Sequence, residues 1–208
     1  VGESKPLLLS STRPFLWSRD TASVQKSVFT LQPCDSGLEV RFAGFLDRCG
    51  DVAAFAKLAR EVRFSLEYRA EGGRLAYYYP DFVVRLTSGE HLVVETKGLA
   101  DLDVPRKDER ATRWAVDASI TSGVRWWYLR VDEEPFVEQV ARLRSMRGLV
   151  DLVYELRRQE YLRSTPQPRS RSREEILTNM DIISRRMEGV EGLDVDAEIR
   201  RLREDPRG

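Results

Sequence analysis

An α/β fold, with a mixed central sheet flanked by helices and a helical tail at the C-terminal end, is predicted from three observations. Apolar residues recur at three and four residues in 34–50 and again in 107–119. Between those stretches, in 62–97, the period switches to two. After the second helical stretch, "GVRWWYLRV" is rich in aromatic and branched residues and reads as a further strand.

The elements follow in order. "PFLWS" and "SVFTLQP" are short strand candidates bounded by Pro, Ser or Asp turn formers. In "CDSGLEVRFAGFLDRCG", Leu38, Phe42, Phe45 and Leu46 mark one helical face, which Asp35 or Ser36 can cap and Gly50 can end. "DVAAFAKLAR" reads as a second, shorter helix. Strands are expected over 62–68, 75–86 and 91–97, as a meander. The helix over 107–119 puts Ala111, Trp114, Ala115 and Ala118 on one side. "EPFVEQVARLRS" and "LVDLVYELRRQEYL" supply one long helix or two shorter ones. "STPQPRSRSR" has the composition of an exposed linker. The expected organisation is therefore a body over 1–163, a linker over 164–173 and a tail of short amphipathic helices over 174–208. A chain of 208 residues suits one core with an appendage.

Composition narrows the function classes. Lys plus Arg and Asp plus Glu balance at 34 each, so no global positive field points to nucleic acid, although basic groups can still segregate onto one face. Cys34 and Cys49 stand in no metal-ligand spacing, and with a single histidine the chain cannot build a Cys/His zinc site. A reducing, cytoplasmic compartment is the simplest expectation. "VGESKPLLLSSTRPF" is too short in apolar residues for a signal-peptide core or a membrane span. The chain begins with Val and not Met, which hints at a piece of a longer protein.

The stretch "YYYPDFVVRLTSGEHLVVETKG" carries the chemistry. "TSG" fits a three-residue hairpin loop in which Gly89 takes the left-handed conformation, so Leu86 faces Glu90. Counting outward pairs Val84 with Leu92, Phe82 with Val94, and Asp81 with Glu95, and Lys97 points the same way as Glu95. Opposed Cβ atoms lie about 4.5–5.5 Å apart, so two carboxylates at that distance either raise one pKa or recruit a cation. Hard oxygen donors of this kind suit Mg²⁺, with Mn²⁺ as the alternative. The ion can activate a water and polarise a phosphoryl group, while Lys97 positions that water or neutralises developing charge. The other reading of these residues is an ion pair on a solvated strand face, worth about 0–1 kcal/mol. Against it, "LVV" directly before Glu95 is apolar on both faces, as in a covered central strand where an idle charge is costly.

"YPDFVVR" followed by "LVVETKG" resembles the PD-(D/E)xK nuclease motif, with Pro80, Asp81, Glu95, Thr96 and Lys97 as its members. The predicted order of helix, three strands, helix and strand is similar to that family's restriction-endonuclease-like core. Over roughly residues 10–145 the chain looks like the C-terminal endonuclease region of type III restriction enzyme Res subunits and their restriction-helicase relatives. The resemblance implies Mg²⁺-dependent cleavage of double-stranded DNA in a restriction or defence setting. It implies that Asp81 and Glu95 hold the metal and that Lys97 serves the water or phosphate. The chain has no GxxxxGK[ST] loop, so a helicase or ATPase motor would be supplied elsewhere. Whether one copy or a homodimer acts stays open.

Further residues carry two readings each. Glu39 stands where the family often supplies another acidic metal ligand, yet "SGLE" is also a capping box with Ser36 as cap. Lys107 and Trp114 occupy positions where relatives face the site; Trp114 suits the core, and Lys107 suits either phosphate or solvent. Arg85 and His91 fall on the Asp81 face and could approach DNA. "WWY" at 126–128 could stack on bases, although alternation sends at least one aromatic set inward. Two non-enzymatic alternatives stand beside the nuclease: a DNA-binding or assembly module on the same fold, and a partner-binding scaffold acting through the tail helices.

Overall fold

The computed structural model describes residues 8–97 and 103–164. The chain divides into two compact units, Val1–Arg157 and Arg158–Gly208. The candidate site lies wholly in the first. The linker and tail helices expected beyond residue 164 lie outside the described residues.

The strands and α-helices of the described residues are β1 (Thr21–Ala22), β2 (Gln32–Pro33), α1 (Gly37–Arg48), β3 (Val52–Lys57), β4 (Leu66–Arg69), β5 (Leu75–Tyr78), β6 (Phe82–Leu86), β7 (His91–Lys97), α2 (Val104–Ser122), β8 (Trp126–Asp132), α3 (Glu133–Gln139) and α4 (Met146–Ser164). The central sheet has the order β3-β6-β7-β8. β3, β6 and β7 run antiparallel to their neighbours, and β8 joins β7 in parallel, as a crossover through α2 permits. The fold is therefore α/β, with a mixed sheet between helices. Two small hairpins, β1–β2 and β4–β5, stand outside that sheet.

Alternation along the strands builds two cores. Phe82, Val84, Leu92, Val94, Leu129 and Val131 are buried with Phe42, Phe45 and Leu46 of α1. On the opposite face Tyr128 and the α2 residues Ala111 and Trp114 join Leu66, Tyr68 and Tyr78 of the small β4–β5 hairpin. Leu92, Val93 and Val94 are all buried, the two-sided cover expected for this strand. Gly89 has φ +89°, and the Leu86 amide donates to the Glu90 carbonyl at 2.8 Å, which closes the expected β6–β7 loop.

Several expectations are corrected. Residues 51–60 do not form a helix: Val52–Lys57 is edge strand β3. Its register shifts between Val52 and Ala54, so Val52 and Phe55, three residues apart, both face the α1 side. That bulge imitates a helical period, and strand pairing then overrides the helix propensity of its alanines. The expected strand over 75–86 is two strands in different sheets, broken where Pro80 offers no amide to a ladder. The strand expected from residue 62 starts at Leu66, after a 3-10 turn that ends in Arg63 with φ 60°. Near the N-terminus "PFLWS" forms no strand, and "SVFTLQP" contributes only Gln32–Pro33 and one isolated bridge from Ser27 to Phe55.

Candidate functional site

Asp81 sits between β5 and β6, where three strands of the central sheet end together. Its carbonyl accepts from the Leu58 amide at 2.7 Å, and its own amide donates to the Val94 carbonyl at 3.0 Å. The expected direct pairing of Asp81 with Glu95 is not formed, because the β6–β7 ladder stops at Phe82 and Val94. Instead Asp81 Oδ2 accepts from both the amide and the hydroxyl of Thr96, each at 2.8 Å. A side-chain oxygen thus takes a strand N–H that a carbonyl would otherwise accept. The carboxylate is fixed at the sheet end as a result.

Its other oxygen, Oδ1, accepts from Lys57 Nζ at 2.9 Å. Lys57 pairs with Phe82 at the end of β3 and is only 3% exposed. The same ammonium lies 2.7 Å from Glu39 Oε2 and 3.1 Å from Asp35 Oδ2. Burial alone would lower the Lys57 pKa, but the charges of Asp81 and Glu39 outweigh it and hold the ammonium well above its ordinary range. Three carboxylates share this one cation, so they are not fully compensated. Burial first, and then Asp81, raise the Glu39 pKa despite the opposing pull of Lys57.

Glu39 makes the capping contacts of one of its two sequence readings. Ser36 Oγ accepts from the Glu39 amide at 3.3 Å, while Glu39 Oε2 accepts from the Asp35 amide at 2.8 Å. The helix cap therefore delivers a carboxylate to Lys57, one bond from Asp81. Arg19 adds an ion pair to Asp35.

Glu95 reaches the site from β7 by another set of contacts. Its Oε2 accepts from the Tyr78 hydroxyl at 2.9 Å, and its Oε1 accepts no hydrogen bond among the described residues. Burial and then the Asp81 charge push its carboxyl up to about 8, against smaller opposing effects of Tyr78, Lys97 and Lys107. Behind Tyr78 the polar chain continues: the Tyr78 and Tyr128 hydroxyls are 3.5 Å apart, Tyr128 donates to Asp108 Oδ1 at 2.6 Å, and Arg130 donates to Asp108 Oδ2 at 2.6 Å. Both phenols are held protonated, chiefly by burial, so they serve as donors.

Asp81 and Glu95 line one open cleft of about 650 Å³, together with Asp35, Lys57, Tyr78 and Lys107. Lys97 does not line it; with Glu95 and Lys107 it lines a smaller recess. Among the described residues no group of three or more His, Cys, Asp or Glu side chains is arranged to hold a metal ion. Arg85 and His91 pair across β6 and β7 about four residues from Glu95, roughly 13 Å along the strand, and neither lines the cleft. His91 instead stacks on Trp126 with ring centroids 4.6 Å apart. Trp114 packs edge-on against Phe64 and Trp126, as a core residue. Cys34 and Cys49 are buried, and burial pushes both thiols up to about 12.

Sequence reasoning missed Lys57, Tyr78 and the part played by Thr96. Lys57 had a signal, a single cation closing the apolar run "VAAFAK". Tyr78 is the inward member of an alternating triplet, Tyr77 and Tyr79 being exposed. Comparison with protein families, with curated proteins and with solved structures finds no match for this chain.

Proposed function

We propose that this chain is a metal-dependent endonuclease domain that hydrolyses DNA phosphodiester bonds at the cleft lined by Asp81 and Glu95. One observation carries the reading: two carboxylates line the same cleft, and burial, with the charge of Asp81 added to it, raises the Glu95 carboxyl to about 8. Such a pair is short of a cation. The order of α1, β3, β6, β7, α2 and β8, with β4–β5 inserted, supports the resemblance to the PD-(D/E)xK core.

The donor set fits Mg²⁺ or Mn²⁺. Glu95 Oε1 has no hydrogen-bond partner among the described residues, and Asp81 Oδ1 accepts one bond, from Lys57. Two hard oxygens with waters and a substrate phosphate make up the coordination that Mg²⁺ favours. When bound, the ion supplies Lewis acidity toward the phosphoryl oxygens and a lowered pKa for an attacking water. The protein's own residues orient the donors: Thr96 and Lys57 fix Asp81, and the Tyr78 hydroxyl fixes Glu95. Lys107, which lines both the cleft and the recess, is placed to meet phosphate charge. Lys97, beside Glu95 in the recess, draws the Glu95 carboxyl toward its ionised, metal-binding form. Glu39 is tied to Lys57 and Asp35, and so serves the site through Lys57.

The test is nicking of supercoiled plasmid with Mg²⁺ by the parent and by Asp81→Asn, Glu95→Gln and Lys97→Ala variants. Cleavage should be abolished by chelator and fall at least about 100-fold in the first two variants, the scale on which charge-stabilising groups act. Equal cutting by parent and variants would sink the assignment. A second reading, a non-catalytic DNA-binding or assembly module, has its own support, since the Lys57 ammonium already occupies the space between Asp35, Glu39 and Asp81 as their shared cation. Mn²⁺ binding followed by electron paramagnetic resonance separates the two. A parent that binds no Mn²⁺ and cuts nothing is the module.

A further inference from the structure

The nuclease reading leaves open which form of nucleic acid the cleft accepts, and the rim of the cleft bears on it. Tyr77 and Tyr78 end β5, and Tyr79 follows directly. The inward member, Tyr78, holds Glu95, while Tyr77 and Tyr79 are 59% and 38% exposed and line the same cleft. Alternation through 77–79 thus makes one short segment supply both the clamp on a candidate metal ligand and exposed rings on the same cleft. Tyr79 stands two residues before Asp81, so their Cα atoms are at most about 7 Å apart.

Basic groups accompany these rings. The Arg60 guanidinium lies 5.3 Å from the centroid of Tyr79. Arg19 lies 5.7 Å from the centroid of Trp17, and both line the cleft as well. Large aromatic faces left to solvent beside guanidinium groups are the elements of a stacking platform, and every base has a π-face to offer such a platform. In a duplex those faces are covered by neighbouring bases. A paired strand can present only its phosphates to this rim, whereas an unpaired strand can present both phosphates and bases.

Resting on the proposed nuclease function, we infer that the cleft takes an unpaired polynucleotide strand, with bases stacked on Tyr77 and Tyr79 and the neighbouring phosphate led to Asp81 and Glu95. The substrate class is then single-stranded nucleic acid, or the single-stranded part of a partly paired one. Trp17 and Arg60 complete the rim, and the acidic floor confines phosphate to the place where a divalent cation offsets its charge.

The experiment is fluorescence anisotropy with labelled single-stranded DNA, single-stranded RNA of the same sequence and blunt duplex DNA. It uses the full chain in chelator, so that nothing is cut. The parent should bind at least one single strand about tenfold or more tighter than the duplex, and the DNA and RNA arms identify the sugar it takes. Tyr77→Ala and Tyr79→Ala should each weaken single-strand binding about 5- to 150-fold, the range for one base–aromatic stack, while Tyr79→Phe retains it. Both side chains are exposed, so the variants should keep the parent's circular dichroism. Duplex bound as tightly as the better-bound single strand, no effect of the alanine variants, or no binding of any nucleic acid overturns the inference. A parallel Mg²⁺ assay on circular single-stranded and duplex DNA separates the two proposals. Ring-dependent single-strand binding without cleavage removes the nuclease reading and keeps this one. Cutting confined to duplex, indifferent to Tyr77 and Tyr79, does the reverse.

Discussion

Replacing Lys57 with Met tests the electrostatic core of the site directly. The substitution keeps most of the aliphatic stem and removes the ammonium, which lies 5.7 Å from the Phe82 ring centroid and stands 2.7, 2.9 and 3.1 Å from Glu39, Asp81 and Asp35. Taking one partner out of a buried ionic group costs about 3–5 kcal/mol, because the remaining charges have lost their compensation without regaining water. Domains of this kind have only about 5–15 kcal/mol in total, so the variant should fold but with a narrow margin. With a urea slope of about 2 kcal/mol per molar, the unfolding midpoint should fall by about 2 M. The chain has four tryptophans to report it by fluorescence. The loss should also depend on pH. Glu39 already has a raised pKa with Lys57 in place, and it rises further without the cation that lowers it. Above its unfolded pKa of about 4.5, the folded variant then binds more protons than the unfolded chain, so its stability falls as pH increases. The gap between parent and variant should accordingly be wider at pH 8 than at pH 5. An unchanged midpoint, or a gap of equal size at both pH values, would refute the claim that Lys57 is the cation that holds these carboxylates together.

Three further outcomes are expected. Glu95 is raised from 4.5 to about 8, so in the absence of metal its ionisation should lower stability as pH climbs through that window; Mg²⁺ binds the ionised form, and the rise in melting temperature that it produces should be larger at pH 9 than at pH 5. Tyr78→Phe removes the donor that lowers the Glu95 pKa, so the acidic limb of any cleavage-versus-pH profile should move upward, with a stability loss of about 1.5–3 kcal/mol in chemical denaturation; an unmoved limb would show that the phenol does not act through Glu95. The sole histidine, His91, has its pKa lowered from 6.5 by burial and then by Arg85, so a proton NMR titration should show its ring titrating below that value, and the chain should lose stability as pH falls through the window. A ring titrating at or above 6.5 would contradict the stacked, partly buried placement against Trp126.

The parts of the fold that were legible in the sequence are those in which local signals and tertiary pairing agree. α1 has its apolar stripe and a working Ser36 cap, the β6–β7 loop has Gly89, and α2 has Ala111 and Ala115 on its buried side. β3 was not legible, because a bulge spaces its inward residues like a helix and because its partner β6 is nearly thirty residues away. Nothing local in "VAAFAK" says that Phe55 will meet Val84. Misreading that segment concealed Lys57, since a lysine ending an exposed helix is ordinary and a lysine ending a buried edge strand is not. The carboxylate pair was found for a reason only partly right. Asp81 and Glu95 do line one cleft, but they are brought there by Thr96 and by Tyr78 respectively, and not by facing each other across a ladder.

That difference in support bears on how the two acids would act. Asp81 is held through both oxygens, by a strand amide, a hydroxyl and a buried ammonium. Glu95 is held through one oxygen by a single phenol, and its second oxygen accepts no bond among the described residues. A donor fixed in this way serves as the anchor of a cation site, while a donor with a free oxygen completes it when the cation arrives. Charge points the same way. Asp35, Glu39, Asp81 and Glu95 are four acids, and the basic groups in ion pairs with them are Lys57 and Arg19. Lys97 and Lys107 draw the Glu95 carboxyl down less than burial and Asp81 push it up. With all four acids ionised, two negative charges are left over at one end of a sheet, which one divalent ion matches. If Lys57 were instead the site's whole complement of positive charge, Glu95 would have had no reason to stand beside Asp81 with a raised pKa.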